Sequence, residues 1–194
     1  MIRVLSGIWF CFWGHIFAFI FYDKKYLRGR WFAGKLNGLC APGWKWTVQD
    51  AWQRIIFHKN RDIPFPVSGQ SHIYNPENII FDPDDLNNFQ GYGIYFQAVG
   101  RIEIGKGTYI APNVGIITSN HDVYNLDEHM PPKDVKIGEN CWIGMNSVIL
   151  PGVSLGERTI VGAGTVVTKS FVEGYQVIAG NPARVIRKID NVSG

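Results

Sequence analysis

The sequence predicts an all-β solenoid of parallel strands, and three observations between residues 137 and 167 predict it. Aliphatic side chains recur at every sixth position without a slip: Ile137, Ile143, Ile149, Leu155, Val161 and Val167. A glycine directly follows four of these six positions, and a small or β-branched residue lies two positions before each later member. An α-helix requires apolar spacings of three or four residues, and a flat strand alternates by two, so a strict period of six fits neither. It indicates one short strand and one corner per repeat.

The period of six defines the geometry of the coil. Three repeats make one triangular turn, which brings the chain back above its start and ~4.8 Å higher. Each aliphatic side chain then points inward and stacks on the same position of the next turn, and glycine suits a corner where the backbone leaves strand dihedrals. The alternative, a glycine-rich parallel strand region in an ordinary α/β domain, does not explain so strict a period.

The repeat extends upstream and is interrupted once. It is firm at Ile104, Ile110 and Ile116, and weaker at earlier positions: Ile80, Leu86, Tyr92 and Ala98. The next member is expected at residue 122, yet the series resumes at Ile137. The extra residues, 122–136, are polar and contain two prolines, so they predict a loop ejected from one corner. A whole extra turn with three additional residues is the weaker alternative, because aliphatic residues are missing at the required positions.

His121 is the last residue before this loop. Histidine suits proton abstraction, because its unperturbed pKa lies nearest neutrality among the side chains. A lone histidine is more commonly structural. His121, however, lies at the single large interruption of the aliphatic repeat, whose side chains cannot transfer protons. It is therefore the candidate general base.

The N-terminal region differs in composition from the repeat. Residues 4–22 are almost wholly apolar and rich in aromatic side chains, and as a helix they reach ~28 Å, slightly short of a hydrocarbon core. A basic flank follows: Lys24, Lys25, Arg28, Arg30 and Lys35. This combination predicts membrane association of residues 1–30, at the interface rather than as a simple span. Burial within an oligomer and removal by cleavage are the alternatives.

The remaining chain divides in two. Residues 31–77 are expected to cover the first turn of the solenoid, with a short amphipathic helix around Trp44 to Phe57 and an extended, proline-containing path after it. Residues 78–194 form the β-helix with its loop at 122–136. The net charge of +3 is too small to indicate binding to nucleic acid. The three cysteines lack the spacing of metal ligands, so they predict no metal site and indicate a reducing, cytoplasmic setting.

Four stretches carry a resemblance to a known family. They are ITSNHD at 117–122, VKIGENCWIGMNSVILPGV at 135–153, IVGAGTVVTKS at 160–170 and AGNPARVIR at 179–187. Together they resemble the hexapeptide-repeat acyltransferases, most closely the O-acetyltransferases of sugars and bacterial surface polysaccharides, over roughly residues 78–190. The resemblance implies a left-handed parallel β-helix with a short C-terminal cap, a homotrimer with active sites between subunits, and acetyl-CoA as the acyl donor. The hand is implied by the resemblance alone, because other parallel crossovers are right-handed in about 98% of cases.

The resemblance also assigns the site. His121 matches the catalytic base, Trp142 a flat wall beside the active site, and the backbone near Gly144 and Met145 the donor to an oxyanion. The other matching positions contact the cofactor along its pantetheine arm or its phosphates: Met145, Ala163 and Thr168 for the arm, and Lys169, Arg184 and Arg187 for the phosphates. Without the resemblance, Lys169, Arg184 and Arg187 would be interpreted as solvent-exposed charges of a C-terminal tail.

The acceptor site departs from the family pattern. Gly91 and Val99 stand where the sugar acetyltransferases have an asparagine and an aspartate. The candidate acceptor contacts are therefore polar or flexible residues nearby: Asn88, Tyr95, Gln97, Asp122 and Met130.

The predicted function is acetyl-CoA-dependent O-acetylation of a sugar hydroxyl in a bacterial surface polysaccharide or its lipid-linked precursor, at the inner face of the cell membrane. Three alternatives stay open: a soluble antibiotic or small-sugar O-acetyltransferase, a non-catalytic scaffold, and a zinc hydratase. The last needs three convergent histidines, and His129 is expected to be loose on the loop.

Overall fold

Three parallel β-sheets surround one aliphatic core in a computed structural model that describes residues 2–33, 38 and 40–190. Face A contains five strands: β1 (His72–Tyr74), β3 (Tyr95–Gln97), β6 (Gly115–Ile117), β9 (Val148–Ile149) and β12 (Val166–Val167). Face B contains four: β2 (Ile79–Ile80), β4 (Ile102–Ile104), β7 (Val135–Ile137) and β10 (Ser154–Leu155). Face C contains five: β5 (Tyr109–Ile110), β8 (Trp142–Ile143), β11 (Thr159–Val161), β13 (Gln176–Ala179) and β14 (Arg184–Lys188).

Successive strands up to β13 belong to different faces, so the chain winds as a solenoid. Every strand pair within the three faces is parallel except β13 with β14, which is antiparallel and ends the coil. Ile116, Ile149 and Val167 stack in adjacent strands of face A and are fully buried. The predicted solenoid with inward aliphatic columns is therefore confirmed.

The first turn keeps the predicted register at Leu86 and Ala98, which are fully buried, and departs from it at two other positions. Ile80 and Tyr92 are about half exposed, whereas Ile79 and Ile94 are buried in their place. The cause is two 3-10 helices, Pro76–Asn78 and Pro83–Phe89, which replace ordinary corners and break the period of six. The first ladder also begins earlier than residue 78, because His72 already pairs with Tyr95.

Two helices precede the coil: α1 (Ile2–Phe21) and α2 (Pro42–Phe57). They run in the same direction, since Gly14 lies against Trp44 and Phe17 lies against Trp52 further along α2. A side chain at Gly14 would place its Cβ 2.9 Å from Trp44 Cε3, so glycine permits this close approach. In the part of the chain that the structure describes, no helix combines the length and the apolarity needed to cross a bilayer.

A buried ion pair joins α2 to the segment that follows it. Arg54 lies 2.9 Å from the Asp50 carboxylate and donates to the Ile63 carbonyl at 2.7 Å, and both charged side chains are almost completely buried. Tyr22, just after α1, donates its hydroxyl to Asp50 at 2.9 Å. One network therefore connects both helices to the start of the coil.

Candidate active site

The ejected loop leaves face A after β6 and returns at β7 of face B. Strand β7 begins at Val135, so the loop ends two residues before the predicted residue 136. It is a hairpin with its own backbone hydrogen bonds: Lys133 N–H donates to the Thr118 carbonyl at 2.7 Å, Met130 to Asn120 at 2.8 Å, and Asp122 to Glu128 at 2.9 Å. These bonds give the interruption a defined shape.

The exposed His121 lies on one strand of this hairpin, and its hydrogen bond fixes its tautomer. Its Nδ1 lies 2.7 Å from the Leu126 carbonyl oxygen. A carbonyl can only accept, so Nδ1 carries a proton, and in the neutral ring the free lone pair lies on Nε2. The imidazole is thus held in the form that accepts a proton through Nε2.

The His129 ring packs against the His121 ring across the hairpin, with the two ring planes tilted by 39°. The two ring centroids are 4.2 Å apart, and the two residues also form a backbone bridge. The expectation that His129 is loose on the loop is therefore wrong. Both histidines lie four residues from Asn125 at the tip, a symmetry that becomes visible only once the hairpin is known. Within the described residues, no group of three or more histidine, cysteine, aspartate or glutamate side chains converges as a metal site.

Gln97 supports the base of the hairpin. Its side-chain oxygen accepts from the backbone N–H groups of Ser119 at 3.0 Å and Thr118 at 3.3 Å. Ser119 in turn donates its hydroxyl to the Met130 carbonyl at 2.9 Å. Gln97 therefore holds the chain that leads to His121, in addition to its predicted place beside an acceptor.

The other predicted acceptor residues differ in how accessible they are. Asn88 is buried: its amide nitrogen donates to the Thr108 carbonyl at 2.8 Å, and its oxygen accepts from Ile110 N–H at 2.9 Å. It links two turns of the coil, so its predicted acceptor contact is contradicted by its burial. The Asp122 carboxylate accepts from Tyr124 N–H at 2.7 Å and shapes the hairpin tip. Tyr95 and Met130 are exposed.

The predicted cofactor residues occupy two different corners. Gly144, Met145 and Ala163 form the corner between faces C and A, because they lie between β8 and β9 or between β11 and β12. Thr168 and Lys169 follow β12 and lie at the corner between faces A and B, where the loop with His121 also leaves.

At the corner between faces C and A, one of the two backbone N–H groups considered is already hydrogen-bonded. Gly144 N–H donates to the Val161 carbonyl at 2.8 Å. Contrary to the prediction, this N–H group is therefore not available to an oxyanion. A Cβ at Gly144 would lie 2.7 Å from Ala163 N, so glycine is required for stacking. Met145 N–H makes no hydrogen bond within the described part of the chain and lies at the open corner. Burial raises the pKa of the neighbouring Cys141 thiol, which keeps it neutral and in a packing role.

Trp142 and the two C-terminal arginines share the outer side of face C. Trp142 is about half exposed and continues in register through Ile160 and Val177 to Arg187. Three strand spacings separate Trp142 from Arg187, or ~14 Å. Arg184 lies on the same strand as Arg187 and pairs with Ala179 of β13. An aromatic wall and two cations thus lie along one surface.

The predicted site residues therefore form two half-sites in a single chain. The base half-site contains His121, Thr168 and Lys169; the wall half-site contains Trp142, Met145, Ala163, Arg184 and Arg187. Face A lies between their corners, so one chain does not bring the halves together.

Comparisons with known proteins agree with this class of fold. Residues 134–169 match the model of the family described as bacterial transferase hexapeptide (six repeats). Galactoside O-acetyltransferase of Escherichia coli K12 is 40% identical over 93 residues, which are 46% of this chain and 45% of that protein.

Two solved structures share the coil. A maltose O-acetyltransferase from Clostridium difficile 630 has a TM-score of 0.51 at 33% identity, over 62% of this chain and 64% of that one. A hexapeptide-repeat acetyltransferase from Vibrio cholerae, complexed with acetyl coenzyme A, has a TM-score of 0.56 at 27% identity, over 62% and 66%. The resemblance to hexapeptide-repeat acyltransferases, and to sugar O-acetyltransferases among them, is thereby confirmed. The chain spans only about half to three fifths of the curated relatives it matches.

Proposed function

We propose that this protein is an acetyl-CoA-dependent O-acetyltransferase that modifies a sugar hydroxyl of a bacterial surface polysaccharide or its lipid-linked precursor. The observation that carries the proposal is the hydrogen bond from His121 Nδ1 to the Leu126 carbonyl, which leaves Nε2 as a proton acceptor at the only large break in the described coil.

In the proposed reaction, Nε2 of His121 takes the proton of the acceptor hydroxyl as its oxygen attacks the thioester carbonyl carbon. A tetrahedral oxyanion forms, and it collapses as the carbon–sulfur bond breaks and the CoA sulfur takes the proton from His121. Met145 N–H is the proposed donor to the oxyanion, since Gly144 N–H is already bonded.

The remaining contacts follow from the two half-sites. Trp142 supplies a flat apolar wall, and Ala163 and Thr168 line the pantetheine arm through main-chain groups. Lys169, Arg184 and Arg187 face the phosphates of the cofactor, for which fixed positive charge is suited. Tyr95, Gln97, Asp122 and Met130 remain the proposed acceptor contacts.

His129 has a proposed positioning role. Its ring contacts that of His121 at 4.2 Å and covers one side of the imidazole. Ring contact on one side and the Leu126 carbonyl at Nδ1 together restrict rotation of His121, which keeps Nε2 directed at the acceptor.

A homotrimer with left-handed coils completes the proposal. The separation of the half-sites supports self-association, and so does the outer surface of the coil. Faces A and C expose aromatic side chains such as Tyr74, Tyr109 and Trp142, whereas on face B Glu103 is ion-paired with Arg101 and Lys136. Faces A and C suit contact with other copies, and face B suits water. The hexapeptide resemblance supports the left hand.

The setting is proposed as the cytoplasmic side of the cell membrane, with residues 1–30 in contact with lipid, because α1 exposes many apolar side chains. A second candidate function is acetylation of a free small sugar. The names of the galactoside and maltose enzymes favour it.

The test measures release of the free CoA thiol from acetyl-CoA with simple sugars and with purified surface saccharides as acceptors. Substituting His121→Ala is expected to lower kcat by about 10²–10⁴-fold. His58→Asn, at an exposed histidine that ends α2 outside the coil, is the control and retains full activity. Equal activity of His121→Ala and wild type would contradict the proposal and favour a scaffold. Mass spectrometry of the surface polysaccharide with and without the protein then distinguishes the two acceptor classes through loss of acetyl groups.

A further inference from the structure

The two N-terminal helices expose one continuous apolar surface, here called the helix-pair face. On α1 its members recur at spacings of three and four residues, which places them on one side of the helix. On α2 they occupy the last two turns. The members are Leu5, Ile8, Trp9, Phe12, Trp13, Ile16, Phe19 and Ile20 of α1, and Trp52, Ile55, Ile56 and Phe57 of α2.

The other side of α1 is packed against protein. Gly14 contacts Trp44, and Phe17 is buried in a cluster with Val48 and Ala51. The Phe17 ring also lies 6.1 Å from that of Trp52, so the exposed surface continues from α1 onto α2. A helix covered on one side and open on the other fits a position flat on an apolar–polar boundary, because a span requires an apolar surface on all sides.

The charge around this face is predominantly positive. The only carboxylate within the two helices is Asp50, which is buried against Arg54 at 2.9 Å. Just beyond the two helix ends, residues 22–30 and 58–62 contain six lysines and arginines against two aspartates. Two of the six are ion-paired within the protein, Lys25 with Asp23 at 3.4 Å and Arg30 with Asp85 at 3.6 Å. Because α1 and α2 are parallel, both basic segments lie at the same end of the pair.

We propose that the helix-pair face docks flat on an anionic phospholipid bilayer, with α2 inserting beside α1. Tryptophan near the boundary and exposed cations at the rim match the interfacial region and its anionic headgroups. A second copy of the chain is the less suitable occupant, since the two helices offer its basic segments no exposed carboxylate to pair with. The inference rests on the membrane contact proposed above and extends it beyond residues 1–30 to Trp52 and residues 55–57.

The test is sedimentation of the full chain with large vesicles of phosphatidylcholine, with or without 30% phosphatidylglycerol. Binding is expected to require the anionic lipid and to weaken about fivefold for each cation removed, for example in Lys24→Gln or Lys59→Gln. Phe19→Asp on α1 and Ile56→Asp on α2 are each expected to lower the partition coefficient by about tenfold or more, because an apolar side chain is lost from the lipid contact. Val172→Asp, at an exposed valine after β12, is the matched control and binds as wild type.

Each outcome has a separate meaning. Loss of binding in both helix variants, with Val172→Asp unaffected, supports the helix-pair face. If Phe19→Asp loses binding and Ile56→Asp retains it, the two-helix face is wrong, while contact through residues 1–30 survives. If no protein sediments with anionic vesicles, both membrane proposals fail, and acetyl transfer to a soluble acceptor still tests the enzyme independently. If the variants instead lower the assembly size by light scattering without lipid, the face covers a second copy and the lipid proposal is overturned.

Discussion

Substituting Gly138→Ala is expected to force two turns of the coil apart. Gly105, Gly138 and Gly156 lie above one another at the corner between faces B and C. A Cβ at Gly138 would lie 2.7 Å from the backbone nitrogen of Glu157, and real Cβ contacts are essentially never below 3.0 Å. Neither atom can move alone, because Gly138 N–H donates to the Leu155 carbonyl at 2.9 Å in the next turn.

The size of the effect follows from these contacts. Opening the turns by the several tenths of an ångström needed for ordinary contact stretches that hydrogen bond beyond its normal range. Loss of a ladder hydrogen bond costs about 1 kcal/mol, and overpacking adds about 1–3 kcal/mol. The free energy of unfolding is therefore expected to fall by about 2–4 kcal/mol, which lowers Tm by roughly 5–15 °C in a chain of this size.

The assay is thermal and urea unfolding followed by circular dichroism at one fixed protein concentration, because association changes apparent stability. Gly91→Ala is the matched control: its Cβ would meet Ile94 Cδ1 at 3.5 Å, an ordinary contact, so its stability is expected to stay within about 0.5 kcal/mol of wild type. A Gly138→Ala protein that unfolds at the wild-type temperature would refute the assigned stacking.

Three further predictions concern side chains whose roles the structure specifies. His129→Ala is expected to lower kcat by about tenfold to a hundredfold at unchanged KM for acetyl-CoA, whereas His129→Phe is expected to restore most of the kcat by keeping ring contact with His121. Steady-state kinetics of both variants test this, and equal losses of kcat would contradict positioning through the ring. Asn88→Ala is expected to lower the free energy of unfolding by about 1–3 kcal/mol, because the substitution leaves buried backbone groups unpaired. KM for the acceptor is expected to stay unchanged. Urea unfolding and acceptor kinetics measure the two effects, and a raised KM without a loss of stability would support the acceptor role instead. Arg54→Leu is expected to cost about 3–5 kcal/mol in urea unfolding, because it leaves Asp50 buried without its partner, and wild-type stability would contradict the buried ion pair.

The parts of the fold that repeat were predictable from the sequence, because each turn places the same residue type in the same environment. Ile143 and Ile149 occupy the inward positions that the period of six assigns, and both are fully buried. The first turn was not predictable in the same way. Its corners are 3-10 helices, and the local period around Ile80 and Tyr92 no longer reports which side chains face inward.

The candidate site was predictable where it depends on position along the chain. His121 stands at the interruption, as expected, and the structure adds the Leu126 carbonyl that fixes its tautomer. The contact with His129 was missed because it forms across a hairpin whose pairing depends on three-dimensional closure of the loop. The division of the site residues into two half-sites could not be predicted from the sequence either, since it depends on which face each strand joins.

The antiparallel strand β14 has a consequence for the growth of the assembly. A coil built from identical turns offers unpaired backbone groups at its last turn, and another chain could add to them and propagate a fibre. Here Arg184–Lys188 folds back on β13, reverses the strand direction and places charged side chains at that rim. The reversal makes the terminal turn a poor template for a further parallel turn, which favours a closed, finite particle over end-to-end polymerisation.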